Sequence, residues 1–130
     1  MNSILYKYKG NIYINITNRC PVKCLYCIKF KWGGKFRGYN LMLKREPTKE
    51  EIINELKRKV NNRIKEIIFC GYGEPLLRYN VVKEVAVWLK RYHPKLKIRV
   101  NTNGLASAYF NKNICKELKG VIDSISISFN

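Results

Sequence analysis

Three cysteines, Cys20, Cys24 and Cys27, lie within eight residues of one another near the amino terminus. A deprotonated cysteine is a nucleophile and also a strong ligand for zinc and iron. The protein is expected to be cytoplasmic, and clustered cysteines in a cytoplasmic protein favour a metal site or catalysis over disulfides. A disulfide within the cluster would leave one thiol over, and the other two cysteines, Cys70 and Cys115, stand far away in the sequence. The segment from 20 to 27 is therefore predicted to bind a metal.

Two kinds of metal centre would suit three thiolates on a short segment. A structural zinc ion usually takes four protein ligands, and the fourth would then be Cys70, Cys115 or His93. A four-iron cluster held by three cysteines instead leaves one iron without a protein ligand, where a substrate or cofactor can bind. The cysteine spacing alone leaves both centres open.

Two polar turns that follow strand-like runs are further candidates for the site. Gly71-Tyr72-Gly73-Glu74-Pro75 follows the apolar run at 67–70, and Asn101-Thr102-Asn103-Gly104 closes the strand pattern at 97–101. Glycine has no Cβ, so a ligand can approach the backbone closely there. The same glycines would also serve an ordinary tight turn, with Glu74 as a solvated or capping carboxylate.

Alternating and continuous apolar patterns predict four strands separated by three helices. The strands are expected at 11–17, 67–70, 97–101 and about 123–129. A first helix begins at the capping box of Thr48 and Glu51, a second carries an apolar stripe over 81–89, and a weaker third over 110–119 stops at Gly120. The order β-α-β-α-β-α-β predicts an α/β fold with parallel strands and right-handed crossovers.

The third and fourth strands are expected to have one apolar and one polar face. Ile98 and Val100 alternate with Arg99 and Asn101, and the isoleucines at 125 and 127 alternate with the serines at 124 and 126. Parallel strands covered on both faces usually read as continuous apolar runs. The polar face therefore predicts a concave lumen that holds a ligand, as in a partial (βα) barrel of about four parallel strands and three crossover helices. Barrel active sites lie at the carboxyl ends of the strands, where the cysteines and both turns are placed.

Length and charge limit the remaining choices. The chain has 130 residues, the size of one domain, and its 26 Lys and Arg against 9 Asp and Glu give a formal charge of +17. No apolar run approaches the ~20 residues of a membrane helix, so no membrane partner is expected. Residues 1–45 hold ten basic residues and no acidic one. Such a block would attract nucleic acid or another anionic partner, although a heat-adapted proteome also produces lysine-rich surfaces. A basic nucleic-acid-binding module with a structural metal is thus the alternative function.

The motifs together resemble a known family. The spacing C-x3-C-x2-C after a first strand, with Tyr26 before the third cysteine, resembles the signature of the radical S-adenosylmethionine (SAM) superfamily, and the turn at 71–75 resembles its glycine-rich turn. More narrowly, the chain resembles the TatD-associated radical SAM family. Four stretches carry that resemblance: YINITNRCPVKCLYC at 13–27, FCGYGEPL at 69–76, RVNTNG at 99–104 and VIDSISISFN at 121–130.

The resemblance implies roles for individual residues. Cys20, Cys24 and Cys27 would ligate three irons of a [4Fe–4S] cluster, and SAM would chelate the fourth iron through its amino and carboxylate groups. Other positions would bind SAM: Tyr26 near the adenine; Gly71, Tyr72, Gly73 and Glu74 at the methionine ammonium group; Ser128 and Asn130 at the methionine or ribose; and Asn101 and Asn103 in the pocket wall.

The resemblance also implies an activity and partners. One electron from the reduced cluster would cleave SAM to methionine and a 5′-deoxyadenosyl radical, which abstracts hydrogen from a substrate that the sequence does not identify. A flavodoxin or ferredoxin would supply the electron. Members usually have six βα units, whereas this sequence ends after the fourth strand. The expectation is a single domain over 1–130, truncated there or completed by another chain.

Overall fold

The computed structural model describes residues 4–19, 35–36, 39–40, 43–71, 73–102, 104 and 110–127. A mixed sheet of five strands occupies its centre. The strands are β1 (Leu5–Tyr8), β2 (Asn11–Ile14), β5 (Glu66–Phe69), β6 (Lys97–Thr102) and β7 (Ser124–Ile127), in the spatial order β1-β2-β5-β6-β7. The strands β2, β5, β6 and β7 are parallel, as predicted, and β1 is antiparallel to β2. Two short strands, β3 (Lys35–Phe36) and β4 (Tyr39–Asn40), form a separate antiparallel pair.

Helices connect the parallel strands where the sequence patterns predict them. They are α1 (Lys49–Lys59), α2 (Tyr79–Tyr92) and α3 (Ile114–Leu118), and a 3₁₀ helix at Pro75–Arg78 precedes α2. The capping box of Thr48 and Glu51 is present at the start of α1. The third helix is shorter than the predicted 110–119, because Asn113 caps it by accepting a hydrogen bond from the backbone N–H of Lys116. None of the helices in the described part of the chain is long and apolar enough to cross a membrane.

One apolar core joins the helices to one face of the sheet. Ile12, Ile14 and Ile16 are buried there, and so are the inward residues of all three helices and of β5 and β6. Each fully buried aliphatic side chain contributes about 1.5–3 kcal/mol relative to an exposed one. The predicted apolar faces of β2 and β6 are therefore confirmed, and together they fix the register of the sheet against the helices.

The strand β1 was not predicted. Its hairpin to β2 turns at Lys9 and Gly10, which both have positive φ angles, of 51° and 81°. Two consecutive left-handed residues are the geometry of the type I′ turn, which suits two-residue hairpins. Four residues, one leucine, one lysine and two tyrosines, give too short a pattern to identify a strand, but the Lys-Gly pair before the alternating run was a usable signal.

The apolar face of β7 departs from expectation. Ile125 is half-buried and lines an open cavity of about 330 Å³ beside α3, and Ile127 is 49% exposed. The sequence pattern predicted that both would pack on helices. The reason for the difference is that α3 has only five residues and does not extend over Ile127 within the described region.

Candidate functional site

The candidate site lies at the carboxyl ends of β2, β5 and β6, on the face of the sheet opposite the helices. Tyr13, Ile68, Arg99 and Ser124 are neighbours across the four parallel strands and share that face. Tyr6 of β1 extends the row, because it pairs with Tyr13 and the two rings stack with centroids 5.2 Å apart. The predicted polar face is confirmed in part, since its floor also includes the fully buried Ile68.

The glycine-rich turn packs directly against residues 15–19, which follow β2 and lead to the cysteines. A Cβ at Gly73 would lie 2.5 Å from the backbone oxygens of Thr17 and Arg19, and a Cβ at Gly71 would collide with the Asn15 side chain. Real Cβ atoms do not come that close, so only glycine allows this packing. The glycines thus serve close approach between two segments of the chain, and not merely the tightness of a turn.

Arg19, the residue before Cys20, is held at three points. Its backbone N–H donates to the Thr17 hydroxyl at 3.0 Å, its carbonyl accepts from the backbone N–H of Glu74 at 2.7 Å, and its guanidinium pairs with Glu46 at 2.8 Å. These contacts fix Arg19 relative to the glycine-rich turn.

The two flanks of the segment from 20 to 42 are also joined to each other. The Asn18 side chain donates to the Leu43 carbonyl at 2.7 Å and accepts from the Leu43 N–H at 2.9 Å. Glu46 accepts from the Thr17 hydroxyl at 2.5 Å and lies 3.6 Å from Arg78. Burial alone would raise the pKa of Glu46, but the hydrogen bonds from Thr17 and Arg19 and the charge of Arg78 hold it below its usual value.

Glu74 is a buried structural carboxylate of the turn. Glu74 is only 4% exposed. One of its carboxylate oxygens accepts hydrogen bonds from the Leu76 N–H at 3.0 Å and from the Thr102 hydroxyl at 2.7 Å. The first bond caps the 3₁₀ helix and the second ties the turn to the end of β6. The capping alternative for Glu74 is therefore confirmed, and the carboxylate also joins two of the predicted site segments.

A group of polar side chains, those of Tyr6, Cys70 and Asn101, lies beside this turn at the carboxyl end of β5. The Tyr6 hydroxyl donates to the Cys70 carbonyl at 2.7 Å, and burial raises the pKa of Tyr6 well above its ordinary value. Burial also raises the pKa of the Cys70 thiol, while hydrogen bonds with Asn101 and Tyr6 and the charge of Arg99 oppose that rise. Within the part of the chain that the structure describes, the buried Oδ1 of Asn101 and Nε of Arg99 have no hydrogen-bond partner. Buried polar atoms are normally satisfied, so these two are candidates for contact with a ligand.

The structure brings together four of the residues predicted to bind SAM, namely Gly71, Gly73, Glu74 and Asn101. The others, together with the three cluster cysteines, lie outside the described residues: Cys20, Cys24, Tyr26, Cys27, Tyr72, Asn103, Ser128 and Asn130. No group of three or more His, Cys, Asp or Glu that would hold a metal occurs among the residues from 4–19 and 43–127 that are described.

The three alternative zinc ligands lie in different places. Cys70 directly follows β5 at the carboxyl edge of the sheet, where residues 17–19 lead towards the cysteine segment. His93 follows α2 at the opposite, amino-terminal edge, and Cys115 is exposed on α3. Of the three, only Cys70 is at the same edge as the start of the cysteine segment.

Sequence reasoning missed Glu46, Thr102, Tyr6 and Arg78. Glu46 did carry a signal, because it is the first acidic residue after 45 residues without one. Arg78, which donates to the Ile16 carbonyl at 2.8 Å, and Tyr6 gave none, since their partners lie more than 60 positions away.

The described residues fit a ligand that carries both an ammonium group and hydroxyl groups, as SAM does. The Asn101 oxygen is an unsatisfied acceptor, and Glu74 supplies negative charge to the turn. Thiolates, the donors of the cysteine segment, are the usual ligands of iron–sulfur clusters.

Comparison with known proteins agrees with this chemistry. The family model described as the Radical SAM superfamily matches residues 14–130. A GTP 3′,8-cyclase of Nautilia profundicola is 32% identical over 114 residues, which cover 83% of this chain and 30% of that protein. The ribosomal protein uS12 methylthiotransferase RimO of Clostridium novyi is 34% identical over 87 residues, covering 63% of this chain and 18% of that protein. The chain thus spans less than a third of the length of these curated relatives.

Proposed function

This chain belongs to the radical SAM superfamily, and we propose that it forms the part of an enzyme that binds a [4Fe–4S] cluster and SAM and cleaves SAM reductively. Members of this superfamily are enzymes that use both cofactors. When bound, the cofactors supply a one-electron cleavage and a carbon-centred radical that removes a hydrogen atom from a substrate. The observation that carries the proposal is the packing of Gly73 and Glu74 against Arg19, which joins the turn to the cysteine segment.

In this proposal Cys20, Cys24 and Cys27 each ligate one iron, and the fourth iron is left to SAM. The support is chemical and positional. Three thiolates cannot close a four-iron cluster by themselves. The residue before Cys20 is fixed by its backbone and its side chain, so the first ligand starts from a defined point. A fixed anchor reduces the conformational entropy that ligation must overcome.

The SAM side of the proposal assigns four described residues. The turn that carries Gly71, Gly73 and Glu74 meets the methionine ammonium group, and Glu74 supplies the negative charge. Asn101 accepts a hydrogen bond at its buried Oδ1, which otherwise has no partner in the described region. The remaining predicted contacts are part of the same proposal: Tyr26 and Tyr72 beside the ligand, and Asn103, Ser128 and Asn130 along its pocket.

We propose the finer family and the partners on sequence grounds. The stretches at 13–27, 69–76, 99–104 and 121–130 resemble the TatD-associated radical SAM family, and this resemblance supports membership of it. Relatives named for GTP cyclisation and for modification of a ribosomal protein match this same segment. The segment is therefore assigned to cofactor binding and not to substrate choice. A flavodoxin or ferredoxin would supply the electron to a cytoplasmic enzyme in which residues 1–130 form one domain.

The experiment is anaerobic reconstitution with iron and sulfide, followed by measurement of iron content, visible absorption and electron paramagnetic resonance with and without SAM. About four irons per chain and a SAM-dependent change in the spectrum are expected. Replacing Cys20, Cys24 or Cys27 with alanine should abolish the cluster.

The matched control variants, Cys70→Ala and Cys115→Ala, should retain the cluster. Loss of iron in Cys70→Ala would mean a site with four cysteines, and a colourless chain that binds one zinc would mean a structural metal. Either result would contradict the proposal.

A further inference from the structure

The cations of this chain fall into two groups by their partners. Every acidic residue lies in the described part of the chain, and most acids pair with cations. Two of them, Glu66 and Asp123, lie at the amino-terminal ends of β5 and β7 and pair with Arg99 and Lys90. Within the described residues, five exposed cations at one end of the sheet make no ion pair. They are Arg63, Lys65, Arg91, Lys95 and Lys97.

These five cations gather at the amino-terminal edge of the parallel strands. Two connections form this edge, residues 60–65 before β5 and residues 93–96 before β6, and the Lys97 N–H donates to the Lys65 carbonyl at 3.1 Å. No acidic residue occurs in 56–65 or 85–97. We call residues 60–65 and 91–97 the amino-edge surface. It lies at the opposite end of the sheet from Gly71–Glu74.

Helix ends account for only part of this charge. Cations in the last turn of a helix interact favourably with its carbonyl end, which explains Arg91 in α2. Arg63, Lys65, Lys95 and Lys97 lie beyond the helices, where that interaction has faded. Lys97 is close enough to Asp123 for its charge to help lower the pKa of that carboxyl. Arg63, Lys65 and Lys95 have no ion-pair partner within the described residues, and an anionic partner would relieve the repulsion between them.

The amino-edge surface also contains a cavity and an aromatic platform. The cavity, of about 490 Å³, is lined by Asn61, Asn62, Tyr92, His93 and Lys95 among others. The Tyr92 side chain is on a residue 57% exposed, its ring centre lies 5.5 Å from that of Trp88, and the Arg91 guanidinium lies 5.6 Å from the Tyr92 ring. Exposed rings next to cations are the features on which single-stranded nucleic acids stack their bases.

We propose that the amino-edge surface binds single-stranded nucleic acid, with the backbone phosphates on the unpaired cations and a base on Tyr92. A strand carries one phosphate per nucleotide, which suits several exposed cations spread over two connections. An acidic protein would satisfy the charge but would give no role to the exposed ring or to the amides of Asn61 and Asn62. The inference is independent of the proposed function, because it uses no residue of the cluster or SAM site.

The test is fluorescence anisotropy of a labelled 20-nucleotide single strand with this chain, without cluster, at increasing KCl. Arg63→Gln, Lys65→Gln and Lys95→Gln are combined in one variant. The control combines Lys49→Gln, Lys83→Gln and Lys112→Gln, which form ion pairs elsewhere and lower the formal charge from +17 by the same three units. Circular dichroism checks that both variants fold.

The amino-edge variant should lose about 2 from the log–log salt slope, since each phosphate contact on a single strand contributes about 0.7. The control should lose much less. Tyr92→Ala should weaken binding about tenfold, while Tyr92→Phe should not. Equal losses in the two triple variants would show that only net charge matters and would overturn the proposal. So would an unchanged affinity in Tyr92→Ala together with equal competition by poly-L-glutamate, which would indicate a surface for acidic proteins.

Discussion

The Glu74 carboxylate and the Thr102 hydroxyl are joined by a hydrogen bond of 2.7 Å in which Thr102 is the donor. Glu74 is 4% and Thr102 5% exposed, so the bond is protected from water. It connects the glycine-rich turn after β5 with the carboxyl end of β6. The predicted SAM contacts on these two segments, including Asn101, therefore keep a fixed spacing.

Replacing Thr102 with valine should destabilise the chain by about 1–3 kcal/mol, because the buried carboxylate loses a donor while the side-chain volume stays similar. The Gly104 N–H, which donates to the same hydroxyl at 3.1 Å, loses its acceptor as well. Chemical denaturation measures the free energy of unfolding. Thr102→Ser keeps both bonds and should cost less than Thr102→Val; equal losses would show that the hydroxyl contributes nothing.

Gly73→Ala should be more damaging than an alanine at a glycine that has space around it. The new Cβ would lie 2.5 Å from two backbone oxygens, at Thr17 and Arg19, and backbone cannot rotate away as a side chain can. Gly10→Ala is the matched control, because its Cβ meets nothing within 4 Å and its cost is the left-handed strain of about 1 kcal/mol. We expect Gly73→Ala to lower both the melting temperature and the iron content after reconstitution. Gly10→Ala should lower only the melting temperature. Equal iron content in the two variants would show that the packing of the turn does not affect iron binding by the cysteine segment.

Glu46 should contribute stability that depends on pH. Its pKa is lowered in the folded chain by Thr17, Arg19 and Arg78, against the effect of burial, so its contribution is full above the ordinary value near 4.5. As the pH falls through the lowered pKa, the carboxylate is protonated and this contribution is lost. Glu46→Gln should therefore cost about 1 kcal/mol at pH 7 and clearly less at pH 3.

The control for this prediction is Glu55→Gln, whose partner Arg58 is in the same helix and 71% exposed. It should have little effect at either pH, as expected of exposed pairs. Denaturation curves of the three proteins at both pH values are the measurement. A penalty in Glu46→Gln that does not change between pH 7 and pH 3 would contradict the assignment of the ion pairs.

The fold was largely predictable because its strongest determinants are local. The alternation at Ile12, Ile14 and Ile16, the Thr48 capping box and the apolar stripe of α2 each identify one element from neighbouring residues alone. Their order then limits the topology to parallel strands with crossovers. The strand β1 escaped this reasoning, since four residues in a hairpin carry too little periodicity.

The candidate site was predictable only where a motif marks it. Gly71 and Gly73 were predicted to let a ligand approach the backbone or to form a tight turn, whereas the space that a Cβ would take is filled by Asn15 and the backbone of Thr17 and Arg19. Glu74 was predicted as a ligand contact or a cap, and it caps while also bonding to Thr102. Such partners are set by tertiary contacts between distant segments, which no local pattern reports.

The last prediction concerns the two cysteines outside the cluster. Cys115 is exposed on α3, whereas Cys70 is partly buried at the end of β5 and burial raises the pKa of its thiol. The thiolate is the reactive form, so a raised pKa keeps Cys70 protonated, and unreactive, to a higher pH than an ordinary thiol. With Cys20, Cys24 and Cys27 all replaced by alanine, a disulfide reagent at pH 8 should therefore label Cys115 quickly and Cys70 at least tenfold more slowly.

Two further variants show which thiol reacts in the fast phase of labelling and which in the slow phase. In this background Cys115→Ala should leave only the slow reaction, and Cys70→Ala only the fast one. Raising the pH from 8 to 9 should accelerate the Cys70 reaction nearly in proportion to hydroxide, since its thiolate fraction is still small. Equal rates for the two thiols at pH 8 in the folded chain would mean that Cys70 is open to solvent. The polar group of Tyr6, Cys70 and Asn101 would then not be the enclosed site wall that the geometry indicates.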